Sequence, residues 1–147
     1  MKIGIGNDHS AVELKNAIKD YLTQQGYEVI NYGTDSTEAF DYPLAGEAVA
    51  NAINNHEVDC GICICGTGIG ISIAANKVKN IRAAVCSEPV SAKLAKEHNN
   101  AQIICFGARI VGLNMAKAIV DAWLNASFQE DRHIKRLALI KDIEDRQ

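Results

Sequence analysis

The stretch from Val58 to Asn76 constrains the chain most: Val-Asp-Cys-Gly-Ile-Cys-Ile-Cys-Gly-Thr-Gly-Ile-Gly-Ile-Ser-Ile-Ala-Ala-Asn. Gly61 to Ile64 reads as a short strand buried on both faces. Cys65-Gly66-Thr67-Gly68-Ile69-Gly70 forms a glycine-rich turn, and Ile71 to Lys77 follows as a helix. Glycines let a backbone turn tightly and approach a ligand. The unpaired N–H groups at a helix start favour an anion. A thiol at the mouth of such a nest, Cys65, is placed to take a proton or to attack, because donors at a helix N-terminus favour a thiolate.

The rest of the chain alternates in the same way. Strands are expected at Lys2–Gly6, Tyr27–Tyr32, Gly61–Ile64, Ile81–Cys86 and Ile103–Phe106. Helices are expected from Ser10 to Gln25, from Pro43 to about Asn54, over Ile71–Lys77, from Pro89 to near His98, over Leu113–Leu124, and from about Glu130 to the end. Val12, Leu14, Ala17, Ile18, Tyr21 and Leu22 fall close to helical spacing, Gly26 suits the residue after a helix end, and Pro43 suits a first helical turn. Five strand–helix alternations with short connections predict a parallel sheet covered on both faces. The expected fold is a three-layer αβα sandwich, flavodoxin-like with strand order 2-1-3-4-5 or a Rossmann variant, followed by a C-terminal helix. Residues 1–147 read as one domain, a length that supports a real core. Ligands of such sheets bind at the carboxyl ends of the strands, where winding reverses. Between strands one and three, that crevice gathers Asp8-His9 and Cys65 to Gly70.

Composition narrows the function classes. A net charge of −3 argues against wrapping nucleic acid or lying on an anionic membrane. No apolar run nears the ~20 residues of a bilayer span, and the N-terminus reads as a strand rather than a signal peptide. Five cysteines, an odd number, suit a reducing cytoplasm better than a disulfide framework. Cys60 and Cys63 match C-x-x-C, but strand residues three apart point to opposite faces, so neither a zinc chelate nor a redox dithiol is expected. They read as small core residues, as do Cys86 and Cys105. The glycine turn lacks a third glycine at position 71, and Gly4-x-Gly6 lacks one at position 9, so neither is a dinucleotide fingerprint.

Other candidates have competing readings. Asp8 or Ser10 could simply cap a helix, Cys65 could be a buried thiol, and Thr34-Asp35-Ser36 reads as ordinary turn chemistry. Arg132 and Arg136 share a helical face and suit a phosphate, yet from periodicity alone a solvated charged face is favoured. Arg109, just past the fifth strand, lies at a carboxyl end. His98-Asn99 lie at the amino edge of the sheet, opposite to Cys65, so a site using both needs His98 from a neighbouring chain.

The motifs Gly6-Asn7-Asp8-His9, Asp41-Tyr42-Pro43, Cys65 to Lys77, Ile81-Arg82-Ala83, His98-Asn99 and Gly107-Ala108-Arg109 resemble the type B ribose-5-phosphate isomerases, a family that includes galactose-6-phosphate and allose-6-phosphate isomerases. The resemblance runs from Lys2 to at least Arg136. It implies an aldose–ketose isomerase without metal or cofactor, a homodimer or homotetramer with active sites shared between subunits, and a cytoplasmic setting. It implies that Cys65 is the base, assisted by Thr67, and that His98 is the proton donor and ring opener. Asp8 and His9 would contact the sugar phosphate, and the amides of Gly66, Thr67, Gly68, Ile69 and Gly70 would hold the enediolate oxygen. Asn99, Arg109, Arg132 and Arg136 would bind the substrate, which turns the arginine pair into an expected phosphate clamp. Some members place a glutamate further along the turn; here Ile71, Ser72 and Ile73 stand there, which favours Cys65. Gln102-Ile103-Ile104 departs from the Asn-Val-type strand start. The roles of Tyr42 and His133 stay open. The substrate expected is ribose 5-phosphate. A hexose 6-phosphate is the alternative within the class, and a non-catalytic phosphate-binding or thiol-sensing module is the alternative outside it.

Overall fold

The computed structural model describes residues 1–147. Five strands, β1 (Lys2–Asn7), β2 (Glu28–Asn31), β3 (Cys60–Cys65), β4 (Ala83–Val85) and β5 (Ile103–Gly107), form one sheet in which every pairing is parallel. The helices are α1 (Val12–Gln24), α2 (Tyr42–Asn54), α3 (Ile69–Asn76), α4 (Pro89–Asn99), α5 (Leu113–Leu124) and α6 (Arg132–Asp145). A short 3₁₀ turn, His9–Ala11, precedes α1. Several boundaries move from the sequence reading: α1 starts at Val12 rather than Ser10, α3 starts two residues earlier, β4 shrinks to three residues, and α6 starts at Arg132, because Glu130 and Asp131 both adopt positive φ.

The period of two along each strand sorts side chains into two cores. Ile3, Ile5, Cys60, Ile62, Ile64, Ile104 and Phe106 meet α1, α4 and α5, among them Ile18, Ala92, Ile119 and Trp123. Cys63, Cys65, Ile103 and Cys105 meet α2 and α3 through Val49, Ala50, Ile71 and Ala75. Cys60 and Cys63 thus sit in different cores, as the strand geometry requires.

The three-layer αβα class stands, but the strand order is β2-β1-β3-β5-β4 rather than 2-1-3-4-5. Crossover handedness accounts for it. Right-handed connections that advance along a sheet place their helix on one face, and those that retreat place it on the other. α2 and α3 share one face and carry the chain forward; α1 and α4 share the other and carry it back. A 2-1-3-4-5 order would need α4 beside α2 and α3. Ala92 and Ala95 of α4 instead belong to the same core as Ile18 of α1 and Trp123 of α5. Burial agrees, since all five residues of β5 are buried and suit an interior strand, whereas β4 is short and partly exposed and suits an edge.

Candidate active site

The swap of the last two strands has a local consequence. β5 now lies beside β3, with Cys65 opposite Gly107. The chain leaving β5 is stitched to the glycine turn, as Ala108 N–H donates to the Cys65 carbonyl (2.9 Å) and Arg109 N–H to that of Gly66 (3.0 Å). A Cβ on Gly66 would stand 3.5–3.6 Å from Cδ, Nε and an Nη of Arg109, so that side chain lies over the turn. Tyr42, at the start of α2, covers the other end, where a Cβ on Gly70 would come within 2.5 Å of its ring. Gly68 takes φ +80°, and a Cβ there would lie 2.7 Å from the Phe106 backbone. Strand backbone and tyrosine leave no room for a side chain at Gly68 and Gly70, whereas a Cβ at Gly66 would meet Arg109 only at ordinary contact distance.

Cys65 ends β3 and is only 4% exposed. The thiol lies just under the mouth of the nest rather than open in it. Its Sγ accepts the Gly68 N–H at 3.2 Å, and Ile69 N–H goes to Thr67 Oγ1 at 3.2 Å. Two of the amides expected to hold a substrate oxygen are therefore already engaged by side chains of the turn itself. Three of the other cysteines hold their protons tightly. Burial pushes the Cys60 thiol up to about 12 and the Cys86 thiol to about 11. Cys105 is also raised well above the ordinary thiol value, by burial first and then by neighbouring Cys63.

Asp8 follows β1 at the same sheet edge, its N–H bonded to the Ile64 carbonyl (3.3 Å). Its Oδ1 accepts from the Ser10 N–H and from Ser10 Oγ, so Asp8 caps the 3₁₀ turn. His9 is exposed, and its Nδ1 accepts the Phe40 N–H at 3.0 Å. The first cluster therefore comprises Asp8, His9, Cys65 to Gly70, Arg109 and Tyr42, all around the carboxyl ends of β1, β3 and β5.

His98, Asn99, Arg132 and Arg136 form a second cluster elsewhere. The His98 and His133 rings stack, with centroids 4.4 Å apart and planes 15° apart. This contact ties the end of α4 to the start of α6, which carries both arginines. Arg82 Nε donates to the Asn99 carbonyl (2.8 Å) beside the amino ends of β4 and β5. From there to Cys65 the chain must traverse β5, four residue steps or about 13 Å. A cavity of about 730 Å³ lies on the side of the second cluster, lined by Arg82, Asn99, Lys77, Ile140 and Ile143 among others. No group of three or more His, Cys, Asp or Glu side chains is arranged to hold a metal ion, and no helix is long and apolar enough to cross a membrane.

Residues 3–140 match the family model described as Ribose/Galactose Isomerase. The chain belongs to that family. It is 52% identical over 145 residues to ribose-5-phosphate isomerase B of Escherichia coli, covering 99% of this chain and 97% of that one. It is 48% identical over 130 residues to D-erythrulose-4-phosphate isomerase of Pectobacterium atrosepticum, covering 88% and 86%. Among solved structures, ribose-5-phosphate isomerase B of Clostridium thermocellum superimposes with a TM-score of 0.98 at 53% identity, covering 99% of each chain. Like these relatives, this family member is an enzyme of the isomerase class.

Sequence reasoning passed over one element beside the first cluster. Asp35, read as plain turn chemistry, is bonded to Lys15, whose side chain is fully buried. The signal was present: Ala11, Lys15, Ile18 and Leu22 share one helical stripe, and a lysine inside it needs a partner.

Proposed function

We propose that the protein interconverts ribose 5-phosphate and ribulose 5-phosphate. Cys65, as thiolate, removes the proton from C2 of the open-chain aldose. The C–H electron pair forms the C1–C2 double bond, and the carbonyl π pair moves to O1, which gives a cis-enediolate. The proton returns to C1 while the O2 proton passes to O1, leaving a ketone at C2. The difficulty of this step is the developing oxyanion, which preorganised donors stabilise. The amides of Gly66, Thr67 and Gly70 make no hydrogen bond within the chain, and Thr67 assists. His98 donates the proton that opens the furanose ring. Asp8, His9, Asn99, Arg109, Arg132 and Arg136 bind the substrate, with the arginines suited to its phosphate.

One observation carries the reading: a thiol and its donor-lined glycine turn at a sheet's carboxyl edge, in a chain 52% identical across 145 residues to an enzyme named for this substrate. The separation of the two clusters leads to a second part of the proposal. The site is completed by a second copy of the chain, whose His98, Asn99, Arg132 and Arg136 meet the Cys65 of the first. The apolar side chains of Ile134, Leu139, Ile140 and Ile143 are 46–54% exposed along α6 and suit burial by that copy.

The test is a substrate panel on wild type and Cys65→Ala: ribose 5-phosphate, D-erythrulose 4-phosphate, allose 6-phosphate and galactose 6-phosphate. Ribose 5-phosphate should give the highest kcat/KM, and Cys65→Ala should abolish turnover while binding survives. The four-carbon sugar is included because a relative 48% identical is named for it. Preference for that sugar or a hexose would correct the substrate. No turnover with any would leave a binding module. Mixing Cys65→Ala with His98→Ala subunits should restore part of the activity; no recovery would refute the shared site.

A further inference from the structure

α1 holds a cation where its neighbours are apolar. Ala11, Lys15, Ile18 and Leu22 lie on one buried face, and Lys15 is 0% exposed. Desolvating an ammonium costs several kcal/mol before pairing, and an apolar residue in its place often gives equal or better stability. The lysine therefore calls for an explanation other than packing. Its partner is Asp35, in the loop between β2 and α2, whose side chain is 71% exposed. Asp35 also accepts from Asn31 Nδ2, at 3.3 Å to each oxygen, and Lys15 holds its carboxyl below the usual carboxylate value.

The anchored loop reaches the first cluster on both sides of Asp35. Next to it, the Thr34 carbonyl accepts from Asn7 Nδ2 (3.0 Å), which also donates to the Asp8 carbonyl (2.8 Å). Further on, Phe40 N–H donates to His9 Nδ1 (3.0 Å), and the Phe40 carbonyl oxygen lies 3.2 Å from the same nitrogen. With Nδ1 accepting the Phe40 N–H, the shorter of the two contacts, the proton of the neutral ring sits on Nε2, whose N–H then faces a ligand. His9 is exposed and depends on this clasp for its orientation, and the clasp depends on where the loop lies.

We propose that Lys15 is a positioning residue: through its ion pair with Asp35 it holds the 33–41 loop so that Phe40 fixes the ring and tautomer of His9. The inference rests on the reading above, in which His9 contacts the phosphosugar.

The test combines kinetics with imidazole ¹⁵N shifts. Lys15→Met and Asp35→Asn are each made in wild type and in His9→Ala. Asp35 is exposed, so its variant probes the same link if Lys15→Met does not fold. Each single variant should raise KM for ribose 5-phosphate on the order of tenfold, with kcat changed by less than about twofold. Lys15→Arg should recover most of the loss. In the His9→Ala background neither substitution should raise KM further. The wild-type shifts should report protonation at Nε2, and the variants a mixture of tautomers. An equal rise in KM with and without His9, or unchanged His9 shifts in both variants, would overturn the proposal. If His9→Ala itself left KM unchanged, the phosphate-contact reading would fail, while the shifts would still decide whether Lys15 positions the ring.

Discussion

His98 lies stacked on His133, ring centroids 4.4 Å apart, and this pair joins the end of α4 to the start of α6. His133 is the one buried residue of α6. Its proton affinity is held below the ordinary histidine value, first by burial and then by Arg132, His98 and Arg136. A base whose folded pKa is depressed stabilises the fold above its unfolded pKa, near 6.5, and loses that contribution as pH falls through the folded value. Amide exchange over Arg132–Arg136 should therefore accelerate at pH 5.5 relative to pH 7.5, after correction for intrinsic rates. His133→Phe, which stacks without titrating, should remove the difference. Persistence of the pH effect in that variant would assign it to another group.

Thiol reactivity should single out one cysteine. Thiolate is the reactive form, and Cys60, Cys86 and Cys105 are all pushed well above the ordinary thiol range. Iodoacetamide at pH 7.5 should modify Cys65 first, with loss of turnover in step, and a bound phosphosugar should slow it. Peptide mapping checks this. Cys60 or Cys86 labelled ahead of Cys65 would contradict it.

The same raised thiols predict an alkaline weakness. Their unfolded counterparts ionise near pH 9 while Cys60 and Cys86 stay protonated in the fold to about 12 and about 11. The unfolded state then binds fewer protons, so stability falls as pH rises, by up to about 1.4 kcal/mol per unit for each thiol. Thermal unfolding should show Tm declining from pH 9 to 11, and Cys60→Ala should make that decline shallower.

Gly68→Ala should cost about 2–4 kcal/mol, from the left-handed backbone and the collision with Phe106 together. In a chain of this length that is a Tm drop of roughly 10 °C. Gly112→Ala serves as a control, since nothing lies within 4 Å of its Cβ and its φ is −81°. Equal Tm values for the two variants would show that the turn tolerates a side chain.

The limits of sequence reading follow from the range of the forces involved. The αβα class, the strand–turn–helix unit at Cys65, the placing of Asp8 and His9 beside it and the separation of His98 from Cys65 were all legible, because each follows from local periodicity, turn chemistry and the direction of parallel strands. Lys15 and Asp35 were not paired, although the lysine stood visibly in an apolar stripe, because its partner is 20 residues away in a loop with no period.

Local patterning by itself determined which segments are strands and helices, and which residues stand at strand ends, since backbone propensity and side-chain alternation act over a few residues. Tertiary structure alone decided that β5 lies inside β4. That choice set Arg109 over Gly66 and backed Gly68 against the Phe106 backbone. The deciding quantities were crossover handedness and which strand could be buried on both faces, and both depend on the whole sheet.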